Sequence, residues 1–180
     1  MLSVIDLQFL GRPRAIATGV IDTPAGVLLV DPGPATCVAT LEAALADAGI
    51  KGSDLRGLLL THIHLDHAGA TGTLVARHPQ LTVYVHERGA PHLIDPSKLL
   101  ASAQRLYGAD MDRLWGEFAL VPADRVRVLV DGEKLRKYVG NVGSSRFYLC
   151  GPPVMMKKLE SALLGIGVPK RRIHYERFAL

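Results

Sequence analysis

Residues 61–70 read THIHLDHAGA, and this stretch places three histidines and one aspartate within six positions. The cluster directly follows Leu58-Leu59-Leu60, an apolar run that is typical of a buried strand. Imidazole nitrogens and carboxylate oxygens are suitable ligands for a hard-to-borderline metal ion such as Zn²⁺. The stretch therefore predicts a metal site at the end of a strand, with four candidate ligands: His62, His64, Asp66 and His67.

The spacing of these four residues supports this interpretation. His62 and His64 are two positions apart, so in an extended loop both project to the same side and can share one ion. Asp66 and His67 follow at the turn into a helix, where they can face a second ion, and Gly69 lets the backbone pass close to the site. Two such ions would lower the pKa of a bridging water and make it a nucleophile. The alternative is that the histidines only cap a helix or lie on a solvated loop.

Around this cluster, strands and helices alternate along the chain. The predicted strands are Val4–Leu10, Ala15–Thr23, Gly26–Val30, Gly57–Thr61, Leu81–Val85, Arg125–Val130, Arg146–Cys150 and Arg172–Phe178. The predicted helices are a segment capped by Thr36 and ended by Gly49, then Ala68–Arg77, His92–Phe118 with breaks near Pro96 and Gly108, and Pro153–Leu164. A turn over Thr23–Gly26 predicts a hairpin. This alternation indicates an α/β fold with a sheet buried under helices.

Composition limits the class of protein. The chain has 180 residues, of which 48% are hydrophobic, enough for one ordinary domain with a core. No apolar run approaches the roughly 20 residues of a membrane span, and the N-terminus lacks the pattern of a signal peptide. Two cysteines are too few for a disulfide framework. We therefore expect a cytoplasmic protein without a membrane partner.

The net charge of +4 is unevenly distributed. Residues 1–135 carry 12 basic and 15 acidic side chains, whereas residues 136–180 carry 9 basic and 2 acidic ones. No aromatic residues interleave with the basic ones as stacking platforms would require, so we expect no nucleic-acid partner. The excess of basic residues after residue 135 indicates either a basic interaction surface or a boundary between two parts of different origin.

The pattern His62-x-His64-x-Asp66-His67 resembles the HxHxDH signature of the metallo-β-lactamase fold superfamily. Residues 26–33 (GVLLVDPG) resemble the strand and DxG turn of that family, and the similarity covers roughly residues 1–135. The resemblance implies one or two zinc ions and hydrolysis of an ester, thioester, lactone, lactam or phosphodiester. His62 and His64 would bind the first ion, and Asp66 and His67 the second. Asp66 would also assist proton transfer as a catalytic residue, and Asp31 would support the site from beneath.

The chain departs from the family in its second half. The family adds two histidines and a bridging aspartate downstream, on the second half of an αββα sandwich. Here no histidine occurs between His92 and His174, and no acidic residue between Glu133 and Glu160. The resemblance thus predicts an incomplete ligand set. Of the remaining histidines, His86 could reach the site, whereas His78 is expected to cap a helix and His92 to be solvated.

The tail resembles a different family. Residues 147–153 (FYLCGPP) and 173–178 (IHYERF) are similar to the C-terminal βαβ unit of ferredoxin-reductase-type NAD(P)H oxidoreductases, over residues 139–180. The glycine-rich diphosphate loop of that family is missing, so packing is the alternative role of this unit. We interpret the chain as a chimera: residues 1–135 form half of a metallo-β-lactamase-like sandwich, and residues 136–180 complete it within one domain. An oxidoreductase fragment and a non-catalytic chimeric fold are the alternatives to a hydrolase.

A tail of about 40 residues is too short to cover the whole face of such a sheet. An uncovered apolar face of several hundred Å² favours association. We therefore predict a homodimer, in which the tail could be exchanged through the connector Lys137–Ser145.

Overall fold

The computed structural model describes residues 2–129, 147–150, 153–165 and 167–176. The chain divides into two compact units, Met1–Val128 and Leu129–Leu180. The predicted connector 137–145 lies outside the described residues. The strands are β1 Leu2–Asp6, β2 Ala17–Thr23, β3 Gly26–Val30, β4 Leu55–Leu59, β5 Thr82–His86, β6 Val126–Leu129, β7 Phe147–Cys150 and β8 Ile173–Glu176. The α-helices are α1 Val38–Asp47, α2 Leu65–Ala68, α3 Thr71–Arg77, α4 Ala90–Ile94, α5 Ser97–Tyr107, α6 Met111–Trp115 and α7 Pro153–Gly165.

The main sheet has six strands in the order β1-β2-β3-β4-β5-β6. The pairs β1/β2 and β2/β3 are antiparallel, and Thr23 lies opposite Gly26 as the predicted hairpin requires. Strands β3, β4 and β5 are parallel, so their carboxyl ends meet at one edge of the sheet. The mixed α/β fold class is confirmed.

A row of side chains across the three parallel strands anchors the core of this unit. Leu29, Leu58 and Val83 are register partners on β3, β4 and β5, and each is fully buried. Leu41 of α1 and Leu74 of α3 are fully buried in the same cluster. Removing each such side chain from water contributes roughly 1.5–3 kcal/mol, so this row holds the ends of β3 and β4 in a defined register.

Two local predictions were wrong. The first strand ends at Asp6, because the Asp6 carboxylate accepts hydrogen bonds from the backbone N–H groups of Gln8 (3.0 Å) and Arg14 (2.8 Å) and turns the chain. Thr36 does not cap α1 with its side chain, since its hydroxyl donates to the carbonyl of Leu114 at 2.9 Å.

The segment after the histidine loop also differs from the single helix predicted for Ala68–Arg77. It consists of two short helices, α2 and α3. The backbone N–H of Ala70 donates to the carbonyl of Gly33 at 2.8 Å, and that of Gly33 donates to the carbonyl of His67 at 3.1 Å. These hydrogen bonds take the place of bonds that a continuous helix would form within itself, and they connect the end of α2 to the turn that follows β3. The predicted breaks between Ala90 and Trp115 are confirmed, at Pro96 and Gly108.

The second unit contains a βαβ arrangement. Strands β7 and β8 are parallel, with Phe147 opposite Ile173, and α7 lies between them in sequence. Met156, Leu163, Val168 and Ile173 form its buried cluster. The predicted strands and helix are present in the described part, although Phe178 lies outside it. Among the described residues, no helix is long and apolar enough to span a membrane.

Candidate metal centre

The structure brings together the four residues predicted as metal ligands. His62 and His64 lie in the loop after β4, with His64 immediately before α2, and Asp66 and His67 lie on α2. The His62 ring centroid is 4.7 Å from that of His64 and 4.0 Å from that of His67. Asp66 Oδ2 is 3.2 Å from His67 Nε2. His64 is exposed, and the other three are half-buried.

Asp31 holds the His67 ring from the opposite side. It follows β3, is buried, and has a left-handed backbone (φ 50°) that aspartate tolerates better than most residues. Its Oδ2 lies 2.9 Å from His67 Nδ1. When that nitrogen donates to Asp31, the ring presents the lone pair of Nε2 on its other edge. A carboxylate behind a ligating imidazole is the usual arrangement that orients the ring and selects its tautomer.

Thr61 extends this network to His62. The Thr61 backbone N–H donates to Asp31 Oδ1 at 2.8 Å, and its hydroxyl donates to Oδ2 at 2.6 Å. Thr61 Oγ1 also lies 3.0 Å from His62 Nδ1. The hydroxyl has only one proton, which is directed to Asp31, so Oγ1 must accept from His62 Nδ1–H. Nδ1 of both His62 and His67 is thus engaged, and Nε2 is the nitrogen of each ring that would bind a metal.

The electrostatics of the metal-free cluster follow from this network. Burial lowers the pKa of His62, and the neighbouring His67 and His64 charges lower it further. Burial also disfavours a charged His67, but hydrogen bonds to Asp31 and Asp66 outweigh it and raise its pKa to about 9. Burial disfavours the Asp66 carboxylate too, yet the bond from His67 lowers its pKa overall. At neutral pH His67 is therefore an imidazolium between two carboxylates, and a metal must displace its proton.

The donor set fits a metal ion in chemistry and in one pairwise distance. Zinc ligands lie about 2.0–2.2 Å from the ion, so two ligands of a tetrahedral ion are about 3.4 Å apart. The 3.2 Å between His67 Nε2 and Asp66 Oδ2 matches that separation. Within the described residues, however, no three or more His, Cys, Asp or Glu side chains are already arranged around one point. The described residues thus supply a pair of ligands with two further histidines nearby, and no complete coordination shell.

The other histidines of this unit have local contacts. His78 follows α3 as predicted, and its Nε2 lies 3.7 Å from Glu42 Oε1. His86 is exposed, and its Nδ1 accepts from the backbone N–H of Arg88 at 3.2 Å. His92 is half-buried in α4, so it is less solvated than the sequence predicted.

A cavity of about 590 Å³ adjoins the cluster. His64 and Asp66 line one side of it, and side chains of α5 together with Trp115 line another. Sequence reasoning missed both Thr61 and this cavity. The sequence signal that could have indicated the cavity is a stripe of apolar residues at helical spacing, next to an aromatic residue: Leu99, Ala103 and Leu106. A smaller cavity, near Glu42 and His78, includes none of the four motif residues.

Comparison with known proteins finds solved structures with a similar fold. The chain is similar in structure to the native FEZ-1 metallo-beta-lactamase from Legionella gormanii, at 22% identity and a TM-score of 0.53, over 73% of this chain and 44% of that one. MEM-A1, a subclass B3 metallo-beta-lactamase from a soil metagenome library, is 27% identical over 67% of this chain and 42% of its own, with a TM-score of 0.49.

The chain spans less than half the length of these relatives. One component of the 1,2-phenylacetyl-CoA epoxidase of Escherichia coli (strain K12) is 38% identical over 60 residues, which are 31% of this chain and 17% of that protein. The family model of the metallo-beta-lactamase superfamily matches residues 11–149. With that match over most of its length, the chain belongs to the metallo-beta-lactamase superfamily.

Proposed function

We propose that this protein is a metal-dependent hydrolase that binds one or two zinc ions through His62, His64, Asp66 and His67. The candidate substrates are small molecules with an ester, thioester, lactone, lactam or phosphodiester bond. The observation that carries the proposal is the hydrogen-bond network from Asp31 to His67 and, through Thr61, to His62. A solvated loop or a helix cap has no need of a buried carboxylate that aligns two imidazoles.

Each residue of the cluster has a distinct part in this proposal. His62 and His67 present Nε2 because Thr61 and Asp31 occupy their Nδ1 atoms. When bound, a zinc ion would lower the pKa of a water molecule and polarise the bond to be cleaved. The Asp66 carboxylate is the acidic group of this cluster and can hold the proton that leaves the attacking water. His64 is exposed and lines the cavity, so an ion bound to it would lie beside a substrate in that cavity.

A second candidate rests on the parallel βαβ unit of β7, α7 and β8. A parallel strand pair with a helical crossover is the element that the oxidoreductase resemblance implies, so a nicotinamide- or flavin-related module is the alternative function. The chimera hypothesis accommodates both candidates, because it assigns the metal loop and the βαβ unit to parts of different origin. The hydrolase proposal is favoured because only the first unit shows an ordered set of reactive side chains among the described residues.

The test is metal content together with hydrolysis. Protein expressed with added zinc should contain at least one equivalent by mass spectrometry of the metal, and His62→Ala and His67→Ala should lose most of it. His86→Ala is the matched control, since His86 is exposed and contacts only Arg88 in the hydrogen bonds described. Wild-type protein should also hydrolyse a substrate from at least one of the five bond classes. Metal-free wild-type protein, or equal zinc content in all variants, would refute the proposal.

A further inference from the structure

The cavity beside the histidine cluster has a lining that is mostly apolar. One face of α5 contributes Leu99, Ser102, Ala103, Leu106 and Tyr107, which recur at the spacing of a single helix face. From Leu99 to Leu106 this face extends about 10 Å, at 1.5 Å per residue. The charged residues of this helix, Lys98 and Arg105, do not belong to the lining. A volume of about 590 Å³ is that of a pocket for a small organic group.

Trp115 forms a rigid wall of this cavity. Its ring stacks on Phe9 with centroids 5.5 Å apart and meets the edge of Tyr107 at 5.1 Å. The indole N–H is buried and has no hydrogen-bond partner in the part of the chain that the structure describes. This buried nitrogen is closed to a ligand in the cavity, so Trp115 contributes aromatic surface to the wall and no accessible donor.

The charge of the residues that line the cavity limits the class of ligand that it can bind. Apart from His64 and Asp66, none of the described residues that line the cavity is acidic or basic. A substrate with a carboxylate beside its scissile bond would find no lysine or arginine in this lining to balance its charge. An uncharged aliphatic or aromatic group, in contrast, would be removed from water by contact with α5 and Trp115. His64 and Asp66 place the reactive end of the cavity at the metal cluster.

We propose that this cavity binds the uncharged, apolar acyl group of an ester or thioester whose carbonyl lies at the histidine cluster. This inference rests on the proposed hydrolase function and names its substrate class. In the reaction, the oxygen of water forms a bond to the acyl carbon and the C–O or C–S bond breaks. One water proton passes to the alcohol or thiol, and the other is released as the acid ionises. The acyl group remains along α5 until the carboxylate leaves.

The first experiment uses p-nitrophenyl esters with acetyl, butyryl, hexanoyl and octanoyl groups on the zinc-loaded protein. Each methylene buried against α5 should raise kcat/KM about fourfold. Ser102→Phe places a ring inside the cavity and should remove this dependence on chain length. Ala101→Phe is the matched control, because Ala101 is the exposed neighbour of Ser102 and does not line the cavity.

A second variant pair tests the charge of the lining. Leu106 is 74% exposed, so Leu106→Asp should fold, and it should lower the ratio of kcat/KM for the octanoyl ester to kcat/KM for the acetyl ester at least tenfold. The control is Leu120→Asp at an exposed leucine outside the lining, which should behave as wild type for both esters.

Binding can be measured without metal or turnover, since Trp115 is the only tryptophan of the chain. Octanamide should change its fluorescence saturably, and acetamide at the same concentrations should not. Hydrolysis of the acetyl ester with no effect of chain length and no fluorescence change would overturn the acyl pocket and leave the hydrolase function standing. Saturable octanamide binding without hydrolysis of any ester or thioester would overturn the assignment of an acyl substrate, whereas the hydrolase function fails only if no bond of the five classes is hydrolysed.

Discussion

Replacing Asp31 by asparagine tests the network that orients the two imidazoles. The Asp31 carboxylate lies 2.9 Å from His67 Nδ1 and accepts two hydrogen bonds from Thr61. Asparagine tolerates the left-handed backbone at this position (φ 50°) and keeps a similar shape, so the substitution removes mainly the charge. The pKa of His67 in the metal-free protein should then fall from about 9 by about 1–3 pH units, the effect of losing one neighbouring opposite charge.

The same change should alter stability as a function of pH. His67 has a folded pKa of about 9, above its ordinary value of 6.5, so its contribution is fully present below pH 6.5 and is lost as the pH rises through 9. The upper limit of that contribution is about 3 kcal/mol. The His67 side chain is only 23% exposed, so solvent screening reduces this limit modestly. In Asp31→Asn the free energy of unfolding should depend less on pH across this interval.

The assay combines nuclear magnetic resonance titration of ¹⁵N-histidine in metal-free protein with urea unfolding at about pH 6 and about pH 9.5, on either side of the transition. His67→Gln identifies the resonance. Asp124→Asn is the control, because the Asp124 side chain is 73% exposed and pairs only with Arg125 among the ion pairs described. If His67 of Asp31→Asn still titrates near 9, or if the pH dependence of unfolding is unchanged, the assigned role of Asp31 is wrong.

The site, the βαβ unit and the sheet face that the sequence predicts to be uncovered give three further predictions. Zinc affinity should increase with pH up to about 9, because the ion displaces the His67 proton. Calorimetry in two buffers of different ionisation enthalpy should detect the release of about one proton per ion at neutral pH, and binding without proton release would contradict this. NAD(P)H should bind no tighter than millimolar, since the sequence lacks a glycine-rich diphosphate loop, and a micromolar dissociation constant by calorimetry would show otherwise. We expect light scattering to give a homodimer of twice 19.4 kDa; a monomer at tens of micromolar would exclude it, together with any ligand donated by a partner chain.

The elements that were predicted well are those whose signal is local. The hairpin required only the turn residues between Thr23 and Gly26 and the alternation on either side. The breaks at Pro96 and Gly108 required only those residues. The boundaries that were missed involve competing contacts: the Asp6 carboxylate ends β1, and the carbonyl of Gly33 interrupts the helix after the histidine loop. Local propensity contains no information about such partners.

The sequence by itself determined the identity and the local arrangement of the candidate ligands. His62, His64, Asp66 and His67 lie within six positions on a loop and one helical turn, so short-range geometry is sufficient to bring their side chains together. The motif also sufficed to indicate the superfamily, which the family model over residues 11–149 confirms.

Only the tertiary structure decided which atoms of that cluster are free to react. Asp31 lies 30 residues from Thr61 and 36 from His67, and the three meet because β3 and β4 pair in parallel with Val30 opposite Leu59. The cavity likewise depends on how α5 and Trp115 pack near α2, more than 30 positions along the chain. Contacts at such separations are set by the register of buried strands and the packing of helices on them, which no pattern within a single segment encodes.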